Sequence, residues 1–305
     1  MSSKSVIAVG HAALDYVYKI TAFPPSPTKV RALEHVASGG GMAANASACI
    51  ARLGGEVSLW SRVGDDDAGA IIRQQLVQAG VDTTCVRVFS GIRSPTAAVI
   101  VDKRGERLIV SEDDHALPLT PEWLPVSDIA TSRVVMSDLT WLEGTEMAFR
   151  AARVKNIPTV LDIDLGSGQL LANVIGITDF AIFSAPAFRL FVEGANDRER
   201  LARLIGLGVR HAGVTMGAMG YAWINRDGGE GHQAAFHVEA IDTTGAGDAF
   251  HGAFALALAE GSEDAECARI ASAVAALSCR GLGARAGLPT RAELDRFLRS
   301  RVAND

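Results

Sequence analysis

Short apolar runs alternate with helix-like stretches through most of this 305-residue chain, and that alternation leaves few folds open. Residues 6–9, 57–63, 133–137, 159–163, 180–183 and 213–216 are brief and almost wholly apolar, as buried parallel strands are. Between and after them the spacing predicts helices over 42–53, 64–79, 144–155, 198–207, 248–258, 263–277 and 291–301. The expected fold is therefore α/β, a mostly parallel central sheet flanked by helices, in one domain spanning 1–305. Two hairpin-like pieces, about 16–38 and 94–112, break the alternation. They are expected to form a small β-sheet lid over the carboxyl edge of the sheet, where open α/β folds bind ligands.

Composition narrows the function. Hydrophobic residues make up 48% and charged residues 21%, the balance of a globular protein, and the net charge is −6. Nucleic-acid and anionic-membrane partners are excluded on this balance, because both require a basic face. Cys49, Cys85, Cys267 and Cys279 have no metal-ligand spacing and read as buried thiols. Residues 1–10 carry no leader-like pattern, so a cytoplasmic location is expected.

The most informative segment is Asp242-Thr243-Thr244-Gly245-Ala246-Gly247-Asp248, a glycine-rich turn running straight into a helix. Without side chains at Gly245 and Gly247, backbone N–H groups can converge on an anion, helped by the positive end of the helix dipole. Asp248 stands at the helix start, placed to accept a proton from an attacking hydroxyl. On spacing alone it reads also as a helix cap after an ordinary turn.

Residues 242–252 resemble the C-terminal signature of the PfkB, or ribokinase, family of carbohydrate kinases. Residues 38–54, Ser-Gly-Gly-Gly-Met-Ala-Ala-Asn-Ala-Ser-Ala-Cys-Ile-Ala-Arg-Leu-Gly, resemble its N-terminal signature, and the likeness extends to 62–66 and Leu14-Asp15. The resemblance implies an ATP-dependent kinase acting on a hydroxymethyl group of a small carbohydrate: a hexose, ketose or sugar acid. It makes Asp248 the catalytic base and the backbone of Gly245, Ala246 and Gly247 an anion hole. Asp15, Gly39, Gly40, Gly41 and Asn45 would bind sugar. Thr215, Gly217 and Gly220 would run beside the ATP phosphates, with Ala276 and Ser278 flanking the adenine. Ala273, on the same helix, reads equally as core.

Two departures from the family pattern matter. The position of the magnesium-organising N-x-x-E motif holds Ser184-Ala185-Pro186-Ala187. Mg2+ is then expected on phosphates, water and carboxylates such as Asp162 or Asp164, which read equally as strand-end residues. A K+ site is implied at Asp242 and Thr244 with the 284–287 loop. Within the family, 39–44, 62–67 and 281–289 look most similar to the sulfofructose kinases, whose sulfonate is held by a lysine, an asparagine and an arginine. Lys29 matches the lysine, but Ser111 and Thr140 stand at the other two positions. A hydroxyl does not replace a bidentate guanidinium. Either another arginine, Arg31 or Arg93, takes over, or the substrate is neutral or differently charged; the second is favoured here. His251, one turn after Asp248, reads as helix packing or as a substrate contact, and neither it nor His11 as a metal ligand. A nucleoside kinase and a non-catalytic sugar or nucleotide sensor are the rival readings. An exposed lid edge predicts a homodimer.

Overall fold

The computed structural model describes residues 5–112, 116–165 and 172–302; residues 1–4 of the N-terminal stretch lie outside them. Nine strands form the main sheet. In chain order they are β1 (Ser5–Val9), β4 (Glu56–Gly64), β5 (Val86–Phe89), β8 (Val134–Asp138), β9 (Thr159–Ile163), β10 (Phe180–Ser184), β11 (His211–Thr215), β12 (Tyr221–Asn225) and β13 (Glu230–Gln233). Their spatial order is β13-β12-β11-β10-β9-β8-β1-β4-β5. All neighbours from β5 to β11 are parallel, and β12 and β13 extend the sheet antiparallel. The parallel strands are buried on both faces, which is why they read as unbroken apolar runs.

Helices cover both faces. One layer holds α1 (Met42–Arg52), α2 (Asp67–Gln78), α6 (Ala246–Ala259), α7 (Asp264–Ser278) and α8 (Arg291–Val302). The other holds α3 (Leu142–Val154), α4 (Ala185–Phe191) and α5 (Asp197–Gly206). Helix α6 lies almost wholly buried between α1, α7 and the sheet, and its alanines permit that crowding. At the α1–α6 crossing, a Cβ on Gly252 would overlap the backbone of Ala46. Two helices that approach so closely can exchange hydrogen bonds between short side chains.

A second sheet has the order β3-β2-β6-β7, from β2 (Ala13–Lys19), β3 (Glu34–Gly40), β6 (Thr96–Val101) and β7 (Arg107–Glu112). It is antiparallel except where β2 and β6 run parallel. Val17, Ala97, Val99 and Val101 form a small apolar cluster of this sheet's own, with Val36 and Leu282 packed against it. Strand β2 starts three residues before the expected position, and that earlier start brings Asp15 into the sheet. Residues 29–33, inside the hairpin-like piece expected over 16–38, instead form part of an exposed loop containing Lys29 and Arg31.

Candidate active site

Strand β3 delivers Gly39 and Gly40 to the carboxyl edge of the main sheet, and Gly41 turns the chain into α1 with φ +85°. That value is left-handed, and a Cβ at Gly41 would also strike the carbonyl of His11. The N-terminus of α1 is held by Asp138 at the end of β8. Its Oδ2 accepts from the backbone N–H of His11 and of Ala43, each at 2.9 Å. Its Oδ1 accepts from the N–H and hydroxyl of Thr140.

Asn45, one turn into α1, points at α6. Its Nδ2 donates to Asp248 Oδ2 at 2.8 Å, across the crossing that Gly252 allows. Its Oδ1 accepts from Arg285 Nε at 2.8 Å, and Arg285 Nη2 donates to the carbonyl of Gly40. The guanidinium lies flat against the bare Cα of Gly39, while the Asp15 carboxylate lies against that of Gly40; a Cβ at either glycine would overlap these groups. Asp15, Arg285, Asn45 and Asp248 thus form one polar line connecting the two sheets.

The electrostatics follow from burial. Burial pushes Asp248 up to about 7, against the lowering effect of the Asn45 hydrogen bond. Asp15 is raised to about 6 by burial, with Arg285 pulling the other way. Burial lowers Arg285 to about 10, opposed by the charges of Asp15 and Asp248. Asp162 is held well above the carboxylate range by burial and by neighbouring carboxylates, Asp248 first among them. A site with a proton-accepting carboxylate near neutrality is suited to general-base chemistry.

Asp248 sits in the first turn of α6, whose N-cap is Gly245 at φ +74°. Asp242 organises this turn. Its Oδ1 accepts from the N–H and hydroxyl of Thr244, and its Oδ2 from the N–H of Gly283. Beside the turn opens a cavity of about 520 Å³. Thr215, Gly217, Gly220, Ala246, Gly247 and Ala276 are among its walls. Ser278 is buried outside the cavity wall, its hydroxyl donating to the Ala275 carbonyl, and Ala273 is buried in the core; Ser272 and Cys279 take their places in the wall. From the second sheet, Arg107 reaches the hydroxyl of Thr243 at 2.7 Å.

Lys29, Ser111 and Thr140 are all exposed, as are Arg31 and Arg93. The arginine that does enter the site is Arg285, on the loop after α7. Sequence reasoning placed that loop beside a cation and overlooked its guanidinium. A cationic residue in a run of glycines and alanines was the available signal. Asp138 was overlooked too, although an acid directly following a buried strand marks a sheet edge. His251 lies inside α6, donating Nδ1–H to the Gly247 carbonyl, with Asp162 Oδ2 at 3.1 Å. Burial lowers its pKa to about 4.

Residues 3–291 match the model of the pfkB family carbohydrate kinases. The chain belongs to that family. A ribokinase of Haemophilus influenzae is 29% identical over 302 residues, 97% of this chain and 98% of that protein. A crystal structure from Agrobacterium tumefaciens, provisionally assigned as a ribokinase, superposes with a TM-score of 0.94 at 35% identity, covering 99% of this chain and 100% of that one. The structure of Arabidopsis thaliana ribokinase complexed with ribose and ATP shares the fold, with a TM-score of 0.84 at 23% identity over 97% and 99% of the two chains. This pfkB kinase is accordingly a phosphotransferase with an alcohol acceptor, of the ribokinase-like sugar and nucleoside kinases. The α/β architecture with a small second sheet is the one expected from the sequence.

Proposed function

We propose that this kinase transfers the γ-phosphoryl group of ATP to a hydroxymethyl group of an uncharged sugar, with Asp248 as the base. The observation that carries the reading is the polar line from Asp15 to Asp248, which ends beside the glycine turn and its cavity. The sugar would lie against Asp15, Gly39, Gly40 and Asn45, its hydroxyl directed at Asp248. The amides of Gly245, Ala246 and Gly247 would face the phosphoryl group as charge develops on it. ATP would fill the cavity along Thr215, Gly217, Gly220 and Ala276, and the second sheet would act as a lid excluding water.

The charge pattern favours an uncharged substrate. Arg285 already donates to two protein oxygens and faces two carboxylates, so its charge is matched within the protein. Stacking surfaces argue against a nucleoside. Tyr18 and His35 stack with ring centroids 4.6 Å apart, and Tyr16 lies beside His35. By strand alternation these tyrosines project from the face of β2 opposite Asp15.

Among the described residues no group of three or more His, Cys, Asp or Glu converges as a metal cage. Asp162 and Asp164 instead lie close enough to Asp248 for their charges to interact, and Asp164 Oδ1 accepts from the Ser184 hydroxyl at 2.7 Å. This fits a Mg2+ that arrives with the nucleotide, since that ion is commonly held by one or two carboxylates plus phosphates. When bound it would neutralise phosphate charge. A K+ at Asp242 and Thr244 would share the oxygens that already tie the turn. Strand β7 is a sheet edge, and its Leu108, Ile109 and Val110 are 50%, 48% and 60% exposed. A second copy covering this edge would make the homodimer.

The test is an ADP-release screen over neutral sugars, sugar acids, sulfonated sugars and nucleosides. Turnover on neutral sugars is expected. Turnover confined to charged sugars would overturn the charge argument, and turnover confined to nucleosides would overturn the stacking argument.

A further inference from the structure

Arg285 has no counterpart among the residues assigned above to sugar, nucleotide or proton transfer, and its placement is unusually determined. It comes from the loop following α7, yet it contacts α1 and β3 and faces Asp15 of β2. Its Nη1 is buried without a hydrogen-bond partner. Leaving such a donor unpaired is costly, so a guanidinium held there calls for a role that outweighs the cost. Its Nε supplies one. A side-chain amide has two ends of similar shape and opposite hydrogen-bonding sense. Beside a carboxylate, only the orientation with NH2 toward the carboxylate attracts; the flipped one sets two oxygens against each other. The Nε–H of Arg285 requires an acceptor at the other end of Asn45, and so enforces the productive orientation.

We propose that Arg285 is a positioning residue for phosphoryl transfer: by donating to Asn45 Oδ1 it locks that amide so that Nδ2 holds the Asp248 carboxylate in place. The inference rests on the reading of Asp248 as base. It differs from an anion-binding role because Arg285 acts on the protein's own amide, not on the substrate.

The experiment is a double-mutant cycle of Arg285→Met and Asn45→Ala, with Arg285→Lys as the conservative variant. It is read by steady-state kinetics on whichever sugar gives turnover and by the side-chain 15N amide resonances of Asn45. Arg285→Met is expected to lower kcat ~10–100-fold, the scale of an ångström-level misplacement of a reacting group. KM for ATP should move less than threefold, and Arg285→Lys should recover part of the loss. In the Asn45→Ala background Arg285→Met should add little, because the amide it acts through is gone. The two Asn45 NH2 resonances should shift and broaden in Arg285→Met as the amide gains freedom to flip. Additive losses across the cycle, or unchanged Asn45 resonances, would overturn the proposal. Should Arg285→Met fail to fold, the same resonances and kinetics in Arg285→Lys decide it: an unaltered Asn45 signal beside a reduced kcat would also count against it. Asp248→Asn, assayed alongside, separates the two levels. If that variant keeps its turnover, the base reading fails, while the amide resonances still report on the lock.

Discussion

Replacing Asp248 by asparagine should damage catalysis and strengthen the fold in the same molecule. Burial lifts this carboxyl from 3.8 to about 7. A raised pKa means the folded state holds a proton the unfolded chain has released, so the group's favourable contribution is present below pH ~4 and lost as pH rises through ~7. A displacement of about three pH units corresponds to about 4 kcal/mol at pH 8, and residual solvent contact trims this to about 2–4 kcal/mol. Asparagine removes the charge and keeps an oxygen for Asn45 Nδ2. Calorimetry should therefore show a midpoint raised by about 4–8 °C at pH 8, at roughly 2 °C per kcal/mol for a chain of this size. At pH 5 less than half of the stabilisation should remain, and below pH 4 none. Turnover should fall ~10²–10⁴-fold, as loss of a general base requires. A variant no more stable than the parent at pH 8, or a gain that persists unchanged at pH 4, would refute the burial argument. Turnover within tenfold of the parent would refute the assignment of the base.

Gly245→Ala forces a Cβ into a left-handed residue and against Ala284, so about 1–3 kcal/mol of stability should be lost in thermal melts, with turnover reduced as the amides of the turn shift. Ile109→Asp places a charge on the exposed edge of β7, and light scattering should show a dimer become a monomer with the far-ultraviolet spectrum unchanged; a monomeric parent protein would remove the basis of the dimer.

The parts of the fold most legible in the sequence are those where burial is two-sided. Residues 159–163 could be assigned to the residue because every side chain there is apolar or tucked into the sheet edge. Strands β12 and β13 were not anticipated: Tyr221–Asn225 is half-covered, Glu230–Gln233 is polar, and neither shows an unbroken apolar run. The glycine turn could be placed because backbone conformation is a local property, whereas Asn45 was singled out only by the resemblance of residues 38–54, as a sugar contact, and its bond to Asp248 was not foreseen. Arg285 could not, since its partners Asn45 and Gly40 lie 240 and 245 residues away in the chain. Nothing local distinguishes an arginine that will fold into a cleft from one that will face water.

Gly39 and Gly40 sit side by side on one strand, one backing a cation and its neighbour an anion. A methyl group at either position would have to displace one of these charged groups; if, as proposed, the two glycines floor the sugar pocket, that floor resists gradual diversification by side-chain replacement. On the same proposal, a lineage of such kinases adapting to new acceptors would draw its variation from the second sheet and its loop, where Lys29 and Ser111 are exposed. Substrate range in this chain should therefore be re-engineered from above, with the floor left untouched.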